Sequence, residues 1–198
     1  MDGIFVSPFT TAPKAGDVAG AIRTCHHLSA GGKLSVNAGI DFDPLNPIGL
    51  LQVDSVVARV QYLMQLHPGR RVFGAKCDMA QYFRQIPLRR RDMARMAQRW
   101  KGEVYVHEAF TFGSRSAPHV CSIITNALCD EMARRGHWCQ CFIDDCVVIG
   151  YEDEIEAAVA ALRQLIKEFG LIENDDKFVA PRRILRSLGC ISTSLISQ

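Results

Sequence analysis

Apolar residues recur along this chain with two different periods, and the switches between them predict its elements. Residues 4–9 and 21–28 are short β-like runs separated by a glycine-containing turn at 15–20, which reads as a hairpin. Residues 41–47 hold two prolines and read as a loop. Helical spacing takes over at 53–66, where Val56, Val57, Val60, Leu63, Met64 and Leu66 are apolar. Asp54 or Ser55 caps that helix and His67-Pro68-Gly69 ends it. Residues 72–77 form a buried strand that delivers Asp78 at its end, and 104–112 form another strand after the Lys101-Gly102 turn. A helix over 116–135 opens at Ser116-Ala117-Pro118 and closes at Gly136. Runs 138–143 and 146–149 form a hairpin with Asp144-Asp145 at its tip. An amphipathic helix spans 152–169 and stops at Gly170. Residues 178–179 and 188–191 are further short strands. From residue 72 onward this order predicts an α+β fold, a ferredoxin-like split βαβ antiparallel sheet with helices on one face.

Composition narrows the class without choosing the chemistry. The chain has 198 residues, of which 48% are hydrophobic and 22% charged, which excludes a disordered segment. A formal charge of +2 and a pI near 8.1 do not announce a nucleic-acid partner, so any such binding rests on local clusters. Arg89-Arg90-Arg91 and Arg182-Arg183 with Arg186 are those clusters. No apolar run approaches the roughly 20 residues a membrane span needs. Residues 1–14 lack a secretory pattern, so the expected location is intracellular, in cytoplasm or nucleus. Eight cysteines without a CxxC pair are then expected to be reduced, mostly buried thiols.

Asp144-Asp145 is the strongest chemical signal. Two adjacent carboxylates between apolar strands are costly unless a cation binds them. If the end of the 72–77 strand lies beside that hairpin, Asp78 joins the pair. Three carboxylates suit hard divalent ions, and two such ions serve phosphoryl transfer. A solvated turn is the ordinary alternative for an isolated Asp-Asp.

Several collinear motifs add weight. They are Ala21-Ile22-Arg23 with His27-Leu28-Ser29 and Ser35-Val36-Asn37, then Lys76-Cys77-Asp78 with Tyr82 to Leu88 (YFRQIPL). After them come Phe110 to Pro118 (FTFGSRSAP), Phe142-Ile143-Asp144-Asp145, Gly170 to Lys177 and Leu188-Gly189. In this order they resemble the reverse transcriptases of retroviruses and retrotransposons over nearly the whole chain, with the retrotransposon enzymes most alike. Phe142 replaces the family's usual Tyr, Thr111 its Pro, and Phe112 the Gln of many relatives.

The resemblance implies an RNA-directed DNA polymerase that adds dNTPs to a primer on an RNA or DNA template. It implies Asp78, Asp144 and Asp145 as catalytic carboxylates for two Mg²⁺ ions, with Mn²⁺ as an alternative and the Met79 carbonyl as a further ligand. Lys177 would donate a proton to pyrophosphate. Arg23 and Lys14 would clamp the triphosphate, Phe83 would be the steric gate against a 2′-hydroxyl, and Phe112-Gly113 would line the nucleotide. Arg89, Arg115, Arg182, Leu188 and Gly189 would face nucleic acid. The expected division is a partial fingers subdomain over 1–71 and a palm over 72–198, with fingers elements inserted at about 86–112 and no thumb or ribonuclease H. The main alternative is a catalytically inactive or co-opted relative that binds nucleic acid or protein. A phosphoacceptor receiver domain would place its acidic pair before its lone Asp in a parallel sheet, the reverse of the order here, and an RNA-templated RNA polymerase is disfavoured by Phe83 at the gate position.

Overall fold

A computed structural model describes residues 3–13, 22–41, 53–187 and 190–191. In chain order the elements are β1 (Phe9–Pro13), β2 (Ile22–His26), α1 (Val53–Leu66), β3 (Val72–Asp78), α2 (Tyr82–Gln85), α3 (Arg90–Met93), β4 (Ala97–Trp100) and β5 (Glu103–Val106). They continue as α4 (Ala117–Arg134), β6 (Cys139–Phe142), β7 (Asp145–Tyr151), α5 (Ile155–Glu168), β8 (Val179–Arg183), β9 (Arg186–Ser187) and β10 (Cys190–Ile191). Among the described residues no helix is long and apolar enough to cross a membrane. The chain divides into two compact units, one of 1–48 with 81–121 and one of 49–80 with 122–198.

The second unit is built on a four-stranded sheet in the order β6-β7-β3-β8, with every neighbour antiparallel. Its elements β3, α4, β6, β7, α5 and β8 realise the split βαβ order that the sequence predicts. Strands β3 and β7 lie at its centre and are buried along nearly their whole length, which is why both read as continuous apolar runs. The two crossover helices share one face. Cys129 of α4 meets Cys139 and Cys141 of β6, and Ile155 of α5 lies against Gly150. Helix α1 stands outside that set and covers the opposite face. Its Val56, Val60 and Leu63 pack with Val147, Ile149 and Tyr151 of β7, closed by Val72 and Ile184. The Tyr151 hydroxyl donates to the Leu63 carbonyl at 3.0 Å, so its one polar atom is satisfied inside this cluster. Helix α5 buries the stripe Ile155, Val159, Leu162, Leu165 and Ile166, and Gly170 ends it at φ +71°, where only glycine is unstrained.

The first unit consists of two small hairpins, β1–β2 and β4–β5, with the short helices α2 and α3. The predicted hairpin exists, but its first strand is Phe9–Pro13 rather than 4–9. The earlier run instead ties to the 94–97 segment, with Phe5 N donating to Ala94 O and Ser7 N to Ala97 O, both at 2.9 Å. The predicted 104–112 strand stops at Val106. Beyond it the backbone pairs with residues 86–88 instead: Leu88 N donates to Glu108 O and Phe110 N to Ile86 O.

Candidate active site

Sheet register assembles the acidic site in the second unit. Asp78 ends β3 and stands directly across from Asp145, which opens β7. Asp144 occupies the turn between β6 and β7, and its carbonyl accepts from Met79 N at 3.1 Å. Ile143, the other turn residue, has φ +56°. A β-branched side chain there is strained, at a cost of about 1–3 kcal/mol, so the tip is held by the strands around it. All three carboxylates predicted from the sequence are thus brought to one sheet edge.

Their surroundings are partly cationic. Asp78 is only 2% exposed; its Oδ2 pairs with Lys177 Nζ at 3.0 Å and its Oδ1 accepts from Asn174 Nδ2 at 3.2 Å. Asn174 N also donates to the Asp78 carbonyl at 2.7 Å, which docks the 174–177 turn onto the end of β3. Lys76 shares the face of Asp78 by strand alternation and pairs with Asp145 at 2.9 Å. Burial raises the pKa of Asp144, and the charges of Asp145 and Asp78 raise it further. Burial likewise raises Asp145; Asp78 adds to the rise and Lys76 opposes it. For Lys177, burial opposes the charge, but the hydrogen bond to Asp78 and the fields of the other two carboxylates outweigh it and raise its pKa. Lys76 and Asn174 are site neighbours to which the sequence reading gave no role. Alternation already placed Lys76 beside Asp78; Asn174 lies inside the quoted 170–177 motif, but its pairing with Asp78, 96 residues away, had no local signal.

These oxygens fit a hard divalent cation: they are carboxylates only, partly desolvated, and they repel one another. The Met79 side chain is buried, and its backbone bridges Glu173.

In the first unit the predicted nucleotide-side residues form a separate group. The Phe83 and Phe112 rings meet edge to face at 5.1 Å, and the Arg23 guanidinium lies 5.1 Å from the Phe112 centroid. Gly113 has φ +105°, and a Cβ there would sit 2.0 Å from the His26 carbonyl oxygen. Asn37 fixes this loop: Nδ2 donates to Gly113 O at 2.8 Å and Oδ1 accepts from Arg115 N at 2.9 Å. Buried His26 hydrogen-bonds through both ring nitrogens, with Gln98 and with Thr111, and its backbone N–H donates to Phe112 O at 2.9 Å. His26 and Asn37 were therefore missed as organisers of this loop, although both lie inside or beside quoted motifs.

Arg89, Arg115 and Arg182 are exposed, the first two in the first unit and Arg182 on β8 in the second. Lys14, Leu188 and Gly189 lie outside the described residues. One cysteine expectation is corrected. Cys141 and Cys146, direct partners across the β6–β7 hairpin, form a disulfide.

Comparison with known proteins bears on this arrangement. Among solved structures, the chain resembles a foamy viral protease-reverse transcriptase in complex with double-stranded DNA, at TM-score 0.69 and 17% identity over 96% of this chain and 30% of that one. A second structure of that protein with double-stranded DNA gives TM-score 0.67 and 17% identity over 96% and 35% of the two chains. A third, with an RNA/DNA hybrid, gives 0.66 and 15% over 94% and 22%. The chain thus spans about a third or less of the length of these relatives. At this identity the likeness shows a shared fold. No curated protein matches the chain in sequence. The family profile of reverse transcriptases (RNA-dependent DNA polymerases) matches residues 43–191, three quarters of the sequence, and the chain belongs to that family.

Proposed function

We propose that this chain is the fingers–palm part of an RNA-directed DNA polymerase that extends a primer on an RNA or DNA template with dNTPs. The observation that carries the reading is the convergence of Asp78, Asp144 and Asp145 at one edge of the β3–β7 pair. In this reading residues 1–71 are a partial fingers subdomain, except that α1 packs on the palm sheet, and 72–198 the palm, with fingers elements inserted at about 86–112.

Asp78, Asp144, Asp145 and the Met79 carbonyl would hold two Mg²⁺ ions, or Mn²⁺ in their place. Two bound divalent ions would stabilise the attacking and leaving oxygens of phosphoryl transfer. The protein's own groups do the rest. Asn174 and the end of β3 orient Asp78. Lys177 stays protonated beside the carboxylates, as a proton donor to departing pyrophosphate requires. Arg23 presents a fork suited to a triphosphate, with Lys14 as a second clamp. Phe83, buttressed by Phe112, excludes a 2′-hydroxyl, and Gly113 leaves the backbone open to the nucleotide. Arg89, Arg115 and Arg182 neutralise template–primer phosphates, and Leu188-Gly189 grip the primer.

Primer extension on poly(rA)·oligo(dT) with Mg²⁺ or Mn²⁺ tests the proposal. Activity that Asp144→Asn abolishes supports it; a folded chain without extension under either ion assigns it to the inactive class.

A further inference from the structure

A second cluster of ligating side chains lies outside the acidic site. Cys139 and Cys141 alternate along β6 and share one face of the sheet, and Cys146 faces Cys141 across the hairpin. Cys129 reaches the same face from α4, with its Sγ 3.9 Å from that of Cys139 and 3.5 Å from that of Cys141. The three sulfurs lie within 4.8 Å of one another. A tetrahedral thiolate site with metal–sulfur bonds of about 2.3 Å has sulfur–sulfur edges of about 3.8 Å. Both short separations fall near that edge. A pocket of about 450 Å³ reaches these cysteines past Asn126, Asp130 and Gln140 and gives an ion a route in.

We propose that Cys129, Cys139, Cys141 and Cys146 bind one thiophilic divalent cation of the zinc class, and that the Cys141–Cys146 disulfide closes the site. An external dithiol reductant opens it: the sulfur–sulfur bond breaks, both sulfurs become thiols, and the reductant becomes its own disulfide. The cation then replaces four thiol protons with four metal–sulfur bonds and releases the protons to solvent. This site differs in kind from the carboxylate edge, since soft sulfur selects zinc-like ions and hard oxygen selects magnesium-like ones. Cys141 and Cys146 flank the hairpin tip that carries Asp144 in its turn and Asp145 at the start of β7, so the bound ion ties α4 to the base of that tip.

The test uses the full 198-residue chain, reduced anaerobically with a dithiol and titrated with Co²⁺ as a spectroscopic stand-in for Zn²⁺. One equivalent is expected to produce sulfur-to-cobalt charge-transfer absorption, which carboxylate ligation cannot give, and Zn²⁺ should bleach it. The oxidised chain should show no such band. Cys129→Ser should weaken binding at least about 100-fold, since even outer-shell partners of a metal site are worth roughly 10–100-fold. Asp144→Asn should leave the band unchanged, which separates this site from the polymerase reading. Zn²⁺ should also raise the Tm of the reduced chain but not of the Cys129→Ala variant, whose substitution is at a half-buried position. A reduced, folded chain without the band, or a band of full strength in Cys129→Ser, overturns the proposal.

Discussion

The two units treat buried polarity in opposite ways. The second gathers carboxylates at the edge of a deeply buried sheet and offsets them only in part with Lys76 and Lys177. The first buries imidazoles, His26 almost fully and His107 partly, and uses His26 and Asn37 to hold a loop. Its hairpin strands are otherwise largely exposed, with every residue of β5 facing solvent. Polar burial in the second unit raises carboxylate pKa values and so works against stability; in the first it satisfies backbone and side-chain hydrogen bonds and works for it. Mutually repelling, partly buried charge of the kind in the second unit is common where a site meets a ligand.

The sharpest way to break this contrast is Asp144→Asn. Under the proposed function it should cut primer extension about 10³-fold, because metal-assisted charge stabilisation is worth several kcal/mol. The same change should raise the Tm of the metal-free chain, since it removes a desolvated charge repelled by two others. A Tm that falls would show that Asp144 is stabilising and would end the contrast.

Gly113→Ala tests the other side. Its Cβ would overlap the His26 carbonyl, and the backbone there is left-handed. A loss of about 2–4 kcal/mol is expected, confined to the first unit. Hydrogen exchange should show faster exchange in residues 81–121 and unchanged protection of β3 and β7. Equal loosening in both units would contradict the assignment of Gly113 to a local lock.

Phe83→Val should relax sugar selectivity by about 10–200-fold, the range that pocket-size discrimination commonly spans. Single-nucleotide extension with ribonucleotide and deoxyribonucleotide measures it, and unchanged selectivity removes the gate role.

The smallest effect concerns pH. Burial lowers the pKa of His107 to about 4, with His26 and Arg84 adding to the shift, and burial lowers His26 as well. The unfolded chain protonates near 6.5 while the fold resists. The stability these neutral rings contribute is therefore complete above pH 6.5 and is lost as pH falls toward 4. The raised carboxylates run the other way: with Asp144 and Asp145 the folded state holds protons more tightly, so their cost grows as pH rises through and above the ordinary carboxylate range. Mild acid should loosen the first unit before the second. Exchange rates at pH 5 and pH 7 would reveal it, and His107→Gln should flatten the response.

The same contrast explains what was legible beforehand. Helix α1 spans the residues its apolar spacing predicts, although Asp54 and Ser55 lie inside its first turn rather than capping it, and β3, β6, β7 and α5 lie within a few residues of expectation, because each buries a face that its own residues specify. The first unit read poorly. Strand β4 carries Gln98 and Arg99 and borrows its conformation from β5, and the 107–112 segment follows partners at 86–88 rather than its own apolar content. In the site, Asp144-Asp145 announced itself by adjacency, whereas joining Asp78 to it depended on β3 pairing with β7 in one register. The disulfide and the Cys129 contact depend on which face each strand turns inward, which local spacing alone does not give.

Lys76 also ties the acidic site to the stability of the fold. Its side chain is 9% exposed whereas that of Asp145 is 35% exposed, so losing Asp145 strands the Lys76 ammonium in a buried setting at a cost of about 3–5 kcal/mol, while losing Lys76 leaves a carboxylate that water partly reaches. Losing both together is far milder. Lys76 thereby makes Asp145 costly to lose on grounds of folding alone, whatever that carboxylate does chemically.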